Sequence, residues 1–179
     1  CSENFSIKRC VFKNSVTADK STIEGEASFN NARFRDNVRF DGSTFLGGVV
    51  FVYSKFRKNC EYRSCSYGNK FICRVTKFLG DSYFNYSKFN QTTSFHECTF
   101  KERIDLGSSI FSDEFNIINA YISGDANFSG STFLAAADFS STNFNGNTSF
   151  NESIFKMKAK FGIAQIDSWE RYFFRRTGD

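Results

Sequence analysis

The chain contains 179 residues, with no proline, 25 phenylalanines and a formal net charge of +4. This length suits one domain. No apolar run approaches the ~20 residues that a membrane-spanning helix needs, so no transmembrane segment is expected. Because the chain begins with Cys1 and not with Met, we interpret it as a piece of a longer protein, with a lipid-modified N-terminal cysteine as the alternative.

A large side chain, usually aromatic, recurs at alternating intervals of five and six residues along most of the chain. A small side chain stands two positions before nearly every one of these large residues, as Ala27 stands before Phe29. We call the large residues the rungs. The rungs are Ile7, Phe12, Ala18, Ile23, Phe29, Phe34, Phe40, Phe45, Phe51, Phe56, Tyr62, Tyr67, Cys73, Phe78, Phe84, Phe89, Phe95, Phe100, Leu106, Phe111, Ile117, Ile122, Phe128, Phe133, Phe139, Phe144, Phe150, Phe155, Phe161 and Ile166.

The spacing of the rungs indicates very short β-strands separated by corners. An amphipathic helix would need apolar residues three and four positions apart, and a long strand would need strict alternation. In a short strand, one small and one large side chain from each unit would enter the core, while alternate residues such as Ser28 would face solvent. Corners that need a positive φ angle are expected two positions after a rung, at Gly42, Gly47, Gly80, Gly124, Gly130 and Gly146. A fixed period of this kind predicts a solenoid.

The unit of a small residue, any residue, a Leu or Phe and two or three polar residues resembles the repeat of the pentapeptide-repeat family, in its phenylalanine-rich form. The resemblance covers residues 1–166. It implies an all-β fold, a right-handed quadrilateral β-helix with one unit on each side. Two five-residue and two six-residue units would make a coil of 22 residues.

Three units that break the rule of small and large residues support a coil of this length. They place Phe71, Ile104 and Phe115 two positions before a rung. Phe71 and Phe115 are two coils apart on one side of the predicted solenoid, and Thr93 lies midway between them. Large, small and large side chains along one column would keep the core volume constant.

The cysteines fall on inward positions of this register. The inward set is Cys10, Cys60, Cys65, Cys73 and Cys98. We therefore expect buried free thiols, which are typical of a reducing compartment such as the cytoplasm.

Motifs that would support catalysis or metal binding are missing from the sequence. There is no phosphate-binding glycine loop, nucleophile elbow or pair of Cys-x-x-Cys motifs. The one histidine, His96, follows the rung Phe95 and is expected on the outer surface. A rod with a filled interior also offers no cleft for a substrate. We expect no enzymatic activity, no catalytic residue, no cofactor and no metal.

Residues 167–179 depart from the repeat. Asp167 or Ser168 can cap a helix, in which Trp169, Tyr172 and Phe173 would share one face. We expect a short C-terminal capping helix that covers the open end of the solenoid. The tail is also similar to the sequence that leads, in some members of the family, from the repeats into further helical or membrane-spanning regions.

The charge changes sign along the chain. Residues 1–80 hold 14 Lys/Arg and 7 Asp/Glu, a net +7. Residues 81–155 hold 3 Lys/Arg and 9 Asp/Glu, a net −6. Residues 156–179 hold 6 Lys/Arg and 3 Asp/Glu, a net +3. This axial polarity makes head-to-tail self-association one hypothesis.

Basic residues on one predicted side of the solenoid are spaced by 22 or its multiples and form two columns. We call this set the basic strip. Its members are Lys13, Arg33, Arg35, Lys55, Arg57, Lys77 and Lys101. One interpretation is a docking surface for an acidic protein, an anionic lipid or a nucleic-acid backbone. The other is a solvated face, partly screened by Asp36, Glu61 and Glu102 and without a binding role.

Three functional hypotheses follow. The first is a non-catalytic scaffold that presents flat faces to a protein partner, as the soluble part of a larger protein. The second, implied by the resemblance, is protection of a type II topoisomerase by DNA mimicry, which the positive charge disfavours because mimicry requires an acidic surface. The third is an enzyme or ligand carrier, which no group of residues in the sequence supports.

Overall fold

The computed structural model describes residues 4–166, and every regular element in this range is a β-strand. Thirty strands, numbered in chain order, form four parallel sheets that we call sheets A to D. Sheet A consists of β1 (Phe5–Lys8), β5 (Ala27–Asn30), β9 (Val49–Val52), β13 (Phe71–Arg74), β17 (Thr93–His96), β21 (Phe115–Asn116), β25 (Ala137–Asp138) and β29 (Ala159–Lys160). Sheet B consists of β2 (Val11–Phe12), β6 (Arg33–Phe34), β10 (Lys55–Phe56), β14 (Lys77–Phe78), β18 (Thr99–Phe100), β22 (Tyr121–Ile122), β26 (Asn143–Phe144) and β30 (Gln165–Ile166).

The other two sheets each have seven strands. Sheet C consists of β3 (Val16–Thr17), β7 (Val38–Arg39), β11 (Cys60–Glu61), β15 (Ser82–Tyr83), β19 (Ile104–Asp105), β23 (Ala126–Asn127) and β27 (Thr148–Ser149). Sheet D consists of β4 (Thr22–Ile23), β8 (Thr44–Phe45), β12 (Ser66–Tyr67), β16 (Lys88–Phe89), β20 (Ile110–Phe111), β24 (Thr132–Phe133) and β28 (Ile154–Phe155). Seven coils of four strands are therefore complete, and β29 and β30 follow them.

Paired residues in neighbouring coils are 22 positions apart, as Phe34, Phe56 and Phe78 are in sheet B. The predicted four-sided β-solenoid and its coil length are confirmed. The predicted alternation in one column is confirmed as well, because Thr93 pairs with Phe71 on one side and with Phe115 on the other.

The rungs form the core, and where two aromatic rungs lie one coil apart their rings stack. The ring centroids of Phe56 and Phe78 are 4.9 Å apart, and those of Phe78 and Phe100 are 4.7 Å apart. From Phe29 to Phe150 every rung is buried except Phe40, which is half-buried. The period in the sequence therefore identifies the core correctly over the central coils.

Every eleventh residue occupies a corner in the left-handed region of backbone space. These residues are Arg9, Lys20, Asn31, Gly42, Tyr53, Ser64, Val75, Tyr86, Glu97, Ser108, Asn119, Gly130, Ser141 and Glu152. Of the six glycines expected there, Gly42 and Gly130 are confirmed, and the expectation is wrong for Gly47, Gly80, Gly124 and Gly146. These four lie at the intervening corners, where coils approach closely. A Cβ atom on Gly47 would lie 2.3 Å from the carbonyl carbon of Gly25.

The residue directly after a left-handed corner points inward and usually carries a hydroxyl or thiol group. Such a group donates to a backbone carbonyl 25 residues earlier in the chain, where the sheets turn. Thr76 Oγ1 donates to the Phe51 oxygen at 2.8 Å, and Ser131 Oγ donates to the Leu106 oxygen at 2.8 Å. The small positions therefore belong to two classes, which the sequence analysis did not separate.

Two side chains differ from their expected placement. Ser28 is buried, with 6% exposed, although it was expected in solvent. It lies in a four-residue strand, where Asn30 Nδ2 donates to its hydroxyl at 3.0 Å. Cys10 is exposed although it was expected inside, because it lies in the first described coil and no described coil covers it.

The remaining cysteine predictions are confirmed for the described residues. Cys60, Cys65, Cys73 and Cys98 are buried, and all five cysteines within residues 4–166 are free. The expected capping helix falls on residues 167–179, outside the described residues. Between residues 4 and 166 the structure contains no helix that could span a bilayer.

Candidate partner-binding surface

The first column of the basic strip lies on the outer face of sheet B. Arg33, Lys55 and Lys77 are paired residues on β6, β10 and β14. Each precedes a buried rung, so its side chain points away from the core. Arg33 and Lys77 are exposed and Lys55 is half-buried. Val11 and Thr99 take the positions at the two ends of this column.

The second column follows the rungs on the same face. The Arg35 N–H donates to the Phe12 oxygen and the Arg57 N–H to the Phe34 oxygen, both at 2.9 Å, which stacks Lys13, Arg35 and Arg57 on successive coils. Leu79 occupies the next coil and separates Lys101 from Arg57. The structure therefore brings six members of the basic strip together and leaves Lys101 apart.

The cations of the basic strip have no carboxylate partner among residues 4–166. None of the seven forms a salt bridge there. Arginines on sheet C differ, since Arg39 pairs with Asp19 and Arg63 pairs with Glu61 at 2.8 Å. Glu61 was expected to screen the strip but is turned to Arg63. Like charges ~5 Å apart in water repel by about 1 kcal/mol, so the strip remains electrostatically unfavourable.

Apolar side chains lie around the corner from the strip, where sheet A meets sheet B. Val50 and Val52 on β9 and Ile72 on β13 are half-buried on the outer face of sheet A. Tyr53, between β9 and β10, is 61% exposed, and Val75 occupies the same corner one coil further. We call these five residues the apolar corner. This corner was not predicted from the sequence, although the 22-residue register already places Val50 and Ile72 at outward positions.

Groups suited to catalysis do not converge in the described structure. Residues 4–166 contain no cluster of three or more His, Cys, Asp or Glu side chains that could hold a metal. The only histidine, His96, has its Nε2 3.0 Å from Glu97 Oε1 on the surface. An apolar cavity of about 250 Å³ opens near the first coils and is lined by hydrocarbon side chains, among them Phe12, Val16 and Ile23.

Comparison with known proteins agrees with the geometry. No curated protein matches the chain. The family model described as pentapeptide repeats, in nine copies, matches residues 7–55 and 117–161. These ranges cover more than half of the chain and fall within the stacked coils. Together with the 22-residue register of four parallel sheets, the match shows that the chain belongs to the pentapeptide-repeat family.

Proposed function

We propose that this protein is a non-catalytic scaffold that binds an acidic protein partner through the basic strip and the apolar corner. The observation that carries the proposal is the group of six neighbouring cations, without a carboxylate partner among residues 4–166, beside the exposed Tyr53 and the half-buried apolar side chains of the apolar corner. A partner whose surface carries carboxylates and apolar side chains would neutralise these cations and bury the apolar corner.

Rigidity supports this proposal. Arg33, Lys55 and Lys77 project from a hydrogen-bonded ladder, so binding would order only their side chains and no backbone. Preorganised surfaces lose less free energy on association. Tyr and Arg are also enriched among the residues that dominate protein–protein affinity, and Tyr53 and Arg57 lie on this surface.

The alternatives use less of the surface. DNA mimicry requires an acidic face, and sheet B presents cations. A nucleic-acid backbone would engage the cations but would leave Val50, Val52 and Ile72 without an apolar partner, and an anionic membrane would bury them only if sheet A sank below its headgroups. An acidic protein surface would pair with the cations of the basic strip and would also bury the apolar corner.

A random copolymer of glutamate and tyrosine is a suitable probe. Its binding to the whole chain can be measured by fluorescence anisotropy at ~0.1 M salt, where the screening length is ~10 Å. Replacing Arg35, Lys55 and Arg57 by Ser is expected to weaken binding by about threefold to a hundredfold, since exposed charge pairs contribute ~0.2–1 kcal/mol each. The matched control replaces Lys20, Lys70 and Lys88 by Ser, which removes the same charge from other faces.

Several outcomes would overturn the proposal. Equal losses in the two triple variants would show that net charge alone matters. Tighter binding to duplex DNA or to phosphatidylserine vesicles than to the copolymer, unchanged in Val52→Ser with Ile72→Ser, would reject a protein partner. Salt-sensitive self-association of the wild type in sedimentation experiments, lost in the strip variant, would identify a second copy of the chain as the occupant.

A further inference from the structure

A polar recess of about 130 Å³ lies on sheet C, on a different face from the basic strip. Its lining includes Asn85, Asp105, Gly107 and Asn127. Asp105 is 9% exposed, and its Oδ1 accepts the Gly107 N–H at 3.0 Å and the Asn127 side-chain amide at 2.9 Å. The closest described cation is Arg103, whose Nε is 3.9 Å from Asp105 Oδ2, too far for a hydrogen bond. Thus Oδ2 of a nearly buried carboxylate has no hydrogen-bonded donor.

A second acceptor in the recess is also without a partner. The Oδ1 atom of Asn85 is buried and makes no hydrogen bond with any described residue. Buried acceptors are almost always satisfied in folded proteins, and an unsatisfied one calls for an explanation such as a missing ligand. The recess is therefore lined by two residues with an oxygen that accepts no hydrogen bond from the described residues, and its one described ion pair, with Arg103, is long.

The repeat supplies an internal comparison that identifies the ligand chemistry. Two coils earlier, Arg63 occupies the position that corresponds to Gly107. Its guanidinium pairs with Glu61 Oε2 at 2.8 Å and with Asp41 Oδ2 at 3.1 Å, and lies 4.2 Å from the centre of the Tyr83 ring. The chain itself therefore fills the earlier position with a cation.

Each member of that earlier cluster has a counterpart in the recess, 44 residues on. Asp41 corresponds to Asn85, Glu61 to Asp105, Arg63 to Gly107 and Tyr83 to Asn127. The acceptors are retained at the first two positions, and the arginine is replaced by a residue without a side chain. The recess keeps acceptors of a guanidinium site, but no guanidinium is hydrogen-bonded to them, since that of Arg103 comes only within 3.9 Å of Asp105 Oδ2.

We infer that the recess on sheet C binds a guanidinium group from outside the chain, supplied either by an arginine side chain of another protein or by a small guanidinium compound. The planar fork of a guanidinium can donate to Asp105 Oδ2 and, through a second N–H, to another acceptor beside it, which an ammonium group matches less well. The surrounding segment, residues 81–155, has a net charge of −6, which favours a cation.

The first test is a titration of the whole chain with ethylguanidinium, followed by the backbone amide resonances of Gly107 and Ser129. A saturable shift of these resonances is expected. Urea, which has a similar planar shape without charge, should cause no saturable shift at the same concentration, and ethylammonium should bind more weakly. No saturable shift with ethylguanidinium, or equal affinity for ethylammonium, would overturn the inference.

Two variants test the site from opposite directions. Asp105→Asn keeps an acceptor for the Gly107 N–H and removes the charge, and is expected to weaken binding about tenfold or more, as loss of a charged hydrogen-bond partner does. Gly107→Arg should place a guanidinium in the recess from within the chain and abolish binding of the probe. A Cβ atom at this position would lie 2.8 Å from Asn127 Nδ2, so the Asn127 side chain would have to shift and loosen its hydrogen bond to Asp105 Oδ1. Unchanged binding in the folded form of either variant would overturn the inference.

The source of the guanidinium is distinguished by a blocked tripeptide with a central arginine. Binding of the peptide at least as tight as that of ethylguanidinium supports a protein partner, because the recess opens outward. Binding of ethylguanidinium alone supports a small compound. As an additional gain-of-function test, Arg63→Gly should create a second saturable site at the amide of residue 63, beside Glu61 and Asp41.

Discussion

The Cys65 backbone N–H donates to Ser87 Oγ at 3.0 Å and so joins two neighbouring coils beneath a left-handed corner. The same hydroxyl donates to the Tyr62 carbonyl oxygen at 3.1 Å. Hydrogen bonding between coils therefore continues at the corner, where the sheet ladder turns. The side chain that follows the corner reaches the backbone of the neighbouring coil. A hydroxyl in this position therefore acts as a link between coils.

Substitution of Ser87 by Ala is expected to lower the free energy of unfolding by about 1–3 kcal/mol, since it leaves the buried Cys65 N–H without an acceptor. Ser82 is a matched control. It is equally buried, but its Oγ has no hydrogen-bond partner. Ser82→Ala should leave stability unchanged or raise it slightly. Chemical denaturation of both variants checks the prediction, and equal losses would contradict it.

The aromatic columns are expected to dominate stability. Phe89 is fully buried and stacks on Tyr67 at 4.6 Å and on Phe111 at 4.9 Å between ring centroids. Phe89→Ala should cost about 3–5 kcal/mol, because it removes buried apolar surface and leaves a cavity between two coils. Leu46, which is 53% exposed, provides the control, and Leu46→Ala should cost far less. A thermal melt that Phe89→Ala does not change would refute the role of the column.

Backbone strain is expected at Val75. Its φ angle of 51° lies in the left-handed region, which a β-branched residue rarely occupies. Val75→Asn should stabilise the fold by about 1 kcal/mol, because Asn tolerates this conformation, as Asn31 and Asn119 do at equivalent corners. Val75→Thr keeps the branched Cβ and should not stabilise. Denaturation curves in which the Asn and Thr variants have the same midpoint would argue against strain.

The buried thiols are expected to resist alkylation. Burial raises the pKa of Cys60 and of Cys98 to about 12 and that of Cys65 to about 11. Only a thiolate reacts, so these residues should remain unmodified at about pH 8 while the exposed Cys10 is labelled. Peptide mass spectrometry after treatment with iodoacetamide measures the labelling. Rapid modification of Cys98 in the folded protein would contradict the structure.

The raised thiol pKa values also predict a loss of stability in alkali. The folded state holds the Cys60 proton more tightly than the unfolded state, whose pKa is near the ordinary 9.0. The contribution of this thiol is therefore fully present below about pH 9 and is lost as the pH rises towards 12. Cys60→Val introduces the residue found one coil away, Val38, and should make the decline between pH 9 and 11 shallower. An identical decline in the variant and the wild type would exclude this contribution.

The period of the rungs by itself determines the fold and the core. Inward and outward positions follow from the two-residue period of a strand, and four units sum to one coil, so Phe34, Phe56 and Phe78 could be stacked from the sequence alone. The same counting places Arg33, Lys55 and Lys77 in one column. This counting reaches its limit at the first described coil, where Cys10 has an inward register but no described coil lies beneath it.

Only the tertiary structure decides which polar groups have partners. Ser82 and Ser87 look alike in the sequence as small inward residues, yet Ser87 Oγ bonds to three backbone groups and Ser82 Oγ to none. Glu61 could have screened the basic strip, but it pairs with Arg63 on sheet C. The physical reason is that these bonds join residues one coil apart, as Ser87 and Cys65 are, or two positions apart around a corner, as Glu61 and Arg63 are. Their formation depends on side-chain reach and corner geometry in three dimensions, which the spacing of apolar residues does not encode.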